Sequence, residues 1–281
     1  MKTYLDCIPC FFNQALRAAR ISNVDDEKIK LLFDELGMAI KNIPMHSTPP
    51  EIGVKIYQRI FEFTGIKDPY SDIKQENIRQ AKSLIPRLKN IIKDSEDKLL
   101  TAIRIAIAGN VIDFGIDANF NIEDDLKKIL KQDFAIFDYS DFKNILENAE
   151  NILYIGDNCG ESVFDSLLIK EMGKRTYYAT REIPVINDVT IDDAIQSGLS
   201  EVSEVFSSGS YAPATILAQC NKKFMDLFNS SDLIISKGQG NYEGLSEVRN
   251  KPIFFLLKAK CKVIARDIGV DLGGIILKGK V

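Results

Sequence analysis

The chain of 281 residues contains a single histidine, His46. Sites that gather several imidazoles are therefore excluded. Any Ser-His-Asp or Cys-His relay would have to use His46, which lies in Pro44-Met45-His46-Ser47-Thr48-Pro49-Pro50, a connection between predicted helices. The five cysteines are too sparse, and odd in number, for a disulfide framework, and they read as reduced thiols. No apolar run reaches the length of about 18 residues that suggests a membrane span. The start, Met1-Lys2-Thr3-Tyr4-Leu5-Asp6, lacks the apolar stretch of a signal peptide. These absences predict a soluble, cytoplasmic protein. Excess positive charge is also missing: 36 Lys and Arg face 40 Asp and Glu, for a net charge of -4. No broad basic surface is expected for nucleic acid or anionic lipid. Chemistry is left to carboxylates, amides, lysine, thiols or a metal with oxygen ligands.

What is present is enough apolar residue, 45%, for a sizeable core. The first part of the chain reads as helix. Cys7, Cys10, Phe11, Ala15 and Leu16 share one face of a first helix, and Ile29, Leu32, Leu36 and Ile40 mark a second. Thr48-Pro49-Pro50-Glu51 is a capping box with proline at the first helical position, and Gly65 is the matching stop. Ile73 to Ile92 continues as helix with a kink or break at Pro86, and a further helix runs from Asp97 to Ile112. After Glu150 short apolar runs alternate with helical patterns. Strands are predicted at Ile152–Ile155, Arg175–Thr180, Val202–Phe206, Leu233–Ile235, Pro252–Leu257 and Gly273–Leu277. Helices are predicted at Val163–Met172, Ile191–Gly198, Leu217–Phe228 and Cys261–Asp267. This alternation implies a largely parallel α/β sheet.

Ligands of open α/β sheets bind beyond the carboxyl ends of the strands. The polar clusters fall there: Asp157-Asn158 after the first run, Asn187-Asp188 beyond the second, Ser207-Ser208-Gly209 after the third, and Lys237-Gly238-Gln239-Gly240-Asn241 after the fourth. Carboxylate and amide oxygens suit magnesium or manganese. Lys237 suits a phosphate as a point charge, and Gly238 and Gly240 let backbone N–H groups approach an anion. Each cluster alone is also an ordinary cap or turn. Taken together they indicate an anion or metal site.

Gly156-Asp157-Asn158-Cys159-Gly160-Glu161 followed by Phe164-Asp165 resembles the metal motif of the damage-control phosphatase family. Asn187-Asp188-Val189-Thr190 resembles its second metal segment, and Ser236 to Asn241 its lysine-glycine loop. Ala108-Gly109-Asn110 with Asp113 resembles its pocket helix. Cys7-Ile8-Pro9-Cys10 matches the N-terminal pair of a microbial branch. The motifs keep their order over nearly the whole chain. The resemblance implies an all-helical N-terminal domain, residues 1–95, followed by a Rossmann-like three-layer α/β/α domain, residues 96–281, with a mostly parallel sheet. It implies hydrolysis of small phosphorylated metabolites, such as sugar phosphates or damaged cofactor intermediates, with a divalent ion (Mn, Mg, Co or Ni). Asp157, Asn158 and Asp188 would hold the metal, and Asp157 or Asp188 would orient the attacking water. Lys237 would bind the phosphate, with Asn110, Glu161, Gly238 and Gly240 in the substrate pocket.

Two other readings compete. A carboxyl methyltransferase using S-adenosylmethionine fits a Rossmann-like domain, but Gly156-Asp157-Asn158 is not the glycine-rich loop such a cofactor usually needs. A non-enzymatic zinc or redox module would use Cys7 and Cys10, which share a helical face. No second Cys-x-x-Cys completes such a site, and core packing explains cysteines equally well.

Overall fold

The computed structural model describes residues 1–109 and 128–280. Asn110 and Asp113 lie outside the described residues. Five helices come first: α1 (Cys7–Ile21), α2 (Asp26–Ile40), α3 (Pro49–Thr64), α4 (Ser71–Asp94) and α5 (Lys98–Gly109). The rest alternates: β1 (Phe134–Phe137), α6 (Tyr139–Asn148), β2 (Asn151–Ile155), α7 (Cys159–Met172), β3 (Arg175–Thr180), α8 (Ile191–Ser197) and β4 (Glu204–Ser207). Then follow α9 (Lys222–Ser230), β5 (Leu233–Lys237), α10 (Gly238–Leu245), β6 (Ile253–Lys258), α11 (Lys262–Ile268) and β7 (Ile275–Lys280).

The seven strands form one sheet in the order β1-β7-β6-β5-β2-β3-β4. β6, β5, β2, β3 and β4 run parallel, while β7 is antiparallel to β6 and carries β1 parallel to itself. The mixed α/β fold with a mostly parallel sheet is as the pattern implies. The central strands are apolar on both faces because both are covered. Ile152, Tyr154, Leu233, Ile235, Phe254 and Leu256 face a core shared with α4, α5 and α7. Leu153, Ile155, Ile234, Phe255 and Leu257 face a second core shared with α9, α10 and α11. A third core joins α1, α2 and α3 around Phe11, Leu32, Leu36 and Ile56.

Four local expectations need correction. α4 is unbroken at Pro86: its buried side chains Ile78, Leu88 and Ile92 stabilise it by about 1.5–3 kcal/mol each, which offsets the missing backbone donor. α7 starts at Cys159, four residues before Val163, since Asn158 is its extended N-cap. The segment predicted as one helix from Leu217 to Phe228 is a single tight turn at Leu217–Gln219 and then α9, capped by Asn221 accepting from the Phe224 N–H at 2.9 Å. β1 and α6 carry no strong periodic signal and were not expected. The capping box at Thr48 and Glu51 and the left-handed stop at Gly65 are both formed. Among the described residues no helix is long and apolar enough to cross a membrane.

Candidate metal centre and cavity

The parallel register places the ends of β2, β3 and β5 on one rim, since Ile155 stands beside both Ala179 and Ser236. Beyond Ile155 the chain continues as Gly156-Asp157-Asn158. Gly156 is required here: a Cβ would lie 2.7 Å from the Tyr178 ring. The Asn187–Val189 segment is stitched onto this turn. The Val189 N–H donates to the Asp157 carbonyl at 2.8 Å, and the Cys159 N–H donates to the Asn187 carbonyl at 2.9 Å. Asn158 and Asp188 thus pair in a short antiparallel bridge. Ile186, just before this segment, has φ 50°, a left-handed conformation that a β-branched residue adopts only under constraint.

Asp157, Asn158 and Asp188 therefore come together, and all three line a cavity of about 520 Å³ between the rim and the α1–α3 layer. Burial pushes the Asp157 carboxyl well above the usual range, and repulsion from Asp188 and Glu161 adds to it. Burial also raises Asp188, with Arg181 pulling the other way. Arg181, at the end of β3, is the cation between the two carboxylates and is fully buried. Its Nε donates to Asp188 Oδ2 at 2.7 Å, its Nη2 lies 3.9 Å from Asp157 Oδ1, and its Nη2 also donates to Asn241 Oδ1 at 3.0 Å. Thr215 completes this network, its N–H and Oγ1 each donating to Asn241 Oδ1 at 2.9 Å.

Lys237 is placed differently from Asp157. It is wholly buried, and its ammonium donates to the Ala106 carbonyl at 2.9 Å, to Glu161, and to Asp165 Oδ1 at 2.6 Å. An ammonium has three donors, and all three are used. Burial pulls the Lys237 pKa down, but Asp165 and Glu161 more than compensate, so it is raised. Burial lifts Asp165 to about 6, against the pull of Lys237. Tyr154 and Tyr178 donate to the two Asp165 oxygens at 2.7 and 2.9 Å. Glu161 links the two clusters: its Oε2 accepts from Asn158 Nδ2 at 3.4 Å. Gly240 lines the cavity, and Gly238, with φ 77°, sits directly against the Asp157 carboxylate.

Arg181, Asp165, Asn241 and Thr215 were not assigned roles in the sequence reading. Asp165 had a signal: Glu161 and Asp165 are four apart on α7 and so share a face toward β5. Arg181 had none beyond its place at a strand end. Lys260 and Lys262 also line the cavity and were unforeseen.

The donor set suits a hard divalent ion. It offers two buried carboxylates and an amide, all oxygen donors, in a place where the carboxylates resist ionisation without a cation. Asn158 Nδ2 here donates to Asp157 Oδ2 at 3.1 Å, so ligation through the amide requires a half-turn that presents Oδ1. Among the described residues no group of three or more His, Cys, Asp or Glu side chains is arranged to hold a metal. A hard ion held here would need the amide as its third donor.

Residues 3–276 match the model of the damage-control phosphatase ARMT1-like domain. The chain is 34% identical over 283 residues to a damage-control phosphatase of Pyrococcus horikoshii, covering 98% of this chain and 97% of that one. It is 31% identical to a damage-control phosphatase of Archaeoglobus fulgidus, covering 97% of each. The crystal structure of a DUF89 family protein from Pyrococcus horikoshii superposes with a TM-score of 0.91 at 33% identity, covering both chains fully. With nearly complete coverage in sequence and in fold, the chain belongs to the damage-control phosphatase ARMT1-like domain family.

Proposed function

We propose that this chain hydrolyses phosphate monoesters of small metabolites in the cytoplasm, using a divalent ion (Mg, Mn, Co or Ni) held by Asp157, Asn158 and Asp188. The observation that carries the reading is the stitched turn that brings these three side chains to the wall of one cavity. When bound, the ion would supply Lewis acidity toward a phosphoryl oxygen. The chain's own residues do the rest. Arg181 holds Asp188 in a fixed orientation through Nε, leaving Oδ1 for other contacts. Asp157 or Asp188 accepts a proton from the attacking water and orients it. Gly240 brings backbone to the cavity wall where substrate enters. Lys237 fixes Glu161 and Asp165, and it reaches a phosphate only by giving up one of its three acceptors.

The test is phosphate release from a panel of sugar phosphates, nucleotide fragments and cofactor intermediates, after chelation and re-addition of each metal. Asp157→Asn is expected to lower kcat/KM by about 100-fold or more, the scale of a displaced electrostatic group. Full metal-dependent activity in that variant would remove Asp157 from the mechanism.

A further inference from the structure

Three cationic side chains are buried among the described residues: Lys74, Arg181 and Lys237. Arg181 holds Asp188 directly, and Lys237 holds Glu161, which contacts Asn158. Lys74 is the third, and it stands outside the cavity lining. It lies in the first turn of α4. Its Nζ is 2.7 Å from Asp193 Oδ2 and donates to Asp68 Oδ2 at 2.8 Å. Asp193 opens α8, and its Oδ2 also accepts the Thr190 N–H at 3.0 Å and the Thr190 hydroxyl at 2.6 Å, which forms the capping box of that helix. Thr190 follows directly on Asp188-Val189. One carboxylate oxygen thus gathers a buried ammonium and both Thr190 donors, at the downstream end of the Asn187–Val189 segment.

Stability alone is a weak reason for such a group. Burying an ion pair costs desolvation that its attraction often fails to recover, and packed apolar residues commonly serve as well. A need to hold the segment in place does account for it. On the upstream side Ile186 has φ 50°, a strained conformation that persists only where the surroundings enforce it. There the Asp188 N–H donates to the Val185 carbonyl at 3.0 Å. On the downstream side the hold is Thr190, then Asp193, then Lys74. A second lysine of α4 meets the far end of α8, where Lys82 Nζ donates to the Gln196 carbonyl at 3.0 Å, but that contact is exposed and remote in sequence from Asp188.

We propose that Lys74 is a positioning residue for the metal centre: it fixes Asp193, Asp193 fixes Thr190, and Thr190 holds the backbone that aims the Asp188 carboxylate into the cavity. The inference rests on the assignment of Asp188 as a ligand. Lys74 does not line the cavity, so it acts on the ion only through this relay. Without it Asp193 is a buried carboxylate with no ammonium beside it, the capping box loosens, and the strain at Ile186 is released by movement of the segment that carries Asp188. Groups that orient a ligand without touching the metal commonly set its affinity.

The experiment is Mn²⁺ binding to the chelator-stripped full chain, read from the electron paramagnetic resonance signal of free Mn²⁺, with the fold of each variant checked by circular dichroism. Wild type is expected to bind at a site that Asp157→Asn weakens. Lys74→Met should weaken the same binding by about 10-fold. The paired variant Lys74→Met, Asp193→Asn removes both charges, so it strands no buried Asp193 carboxylate, and it should weaken binding by a similar factor. Lys82→Met removes the contact at the far end of α8 and should bind as wild type does. Wild-type affinity in a folded Lys74→Met chain or in the folded paired variant, or equal weakening in Lys82→Met, would overturn the inference and leave the metal site in place. Loss of the fold in both Lys74 variants would make Lys74 a stability element and overturn it too. Binding that Asp157→Asn leaves unchanged would instead remove the metal site, and the inference would fall with it.

Discussion

Replacing Gly238 by alanine separates the cost of backbone strain from the cost of moving a ligand. Gly238 has φ 77°, which for an alanine costs about 1–2 kcal/mol. Its new Cβ would also lie 2.9 Å from Asp157 Oδ1 and closer still to Oδ2. Carbon contacts relax at about 3.5–4.0 Å, so the nearer carboxylate oxygen must retreat by about 1.5–2 Å or the loop must yield. A displacement of about 1 Å at a reacting group can cost about 100-fold in rate. Gly173→Ala is the control: it has φ 61° but nothing within 4 Å of the added Cβ. Urea denaturation should show both variants destabilised by about 1–2 kcal/mol, with up to about 3 kcal/mol more in Gly238→Ala from crowding. Only Gly238→Ala should lose about 100-fold in kcat/KM for phosphate release and bind the divalent ion more weakly. Wild-type kcat/KM and metal affinity in a folded Gly238→Ala variant would refute the assignment of Asp157 to the site.

Lys237→Met leaves Glu161 and Asp165 buried without their cation, and it should cost about 3–5 kcal/mol in urea denaturation. A loss under about 1 kcal/mol, the scale of a surface pair, would show that the three charges are not tightly coupled. Asp232 caps the start of β2 by accepting from the Glu150 and Asn151 N–H groups at 2.9 and 3.0 Å, and these bonds lower its pKa below 3.8. A depressed carboxyl stabilises the fold above its unfolded pKa, and that contribution is lost as pH falls through the folded value. Asp232→Asn should therefore flatten the acid limb of the stability curve below about pH 4, by well under 1 kcal/mol because the side chain is solvent-screened. A variant that follows the wild-type curve throughout would discount these bonds.

The fold was legible where hydrophobic runs are long and bounded. Ile152–Ile155, Leu233–Ile235 and Pro252–Leu257 are buried on both faces, so their composition alone marks them as strands. β1 shows the opposite case. Phe134–Phe137 alternates half-buried and exposed at the sheet edge, and it is placed by its pairing with β7 rather than by its own sequence. The break considered at Pro86 is absent for the same reason. Its local penalty was visible, but the packing of α4 on α5 and α7 that outweighs it is not local.

The site was legible in its positions and less so in its roles. Strand ends predict that Asp157, Asp188 and Lys237 share a rim, and they do. Whether a side chain at that rim faces the cavity depends on the elements above it. Two carboxylates four residues apart on α7 aim at the end of β5 and occupy the Lys237 ammonium, while the loop that bridges Asn158 to Asp188 leaves its side chains at the cavity wall.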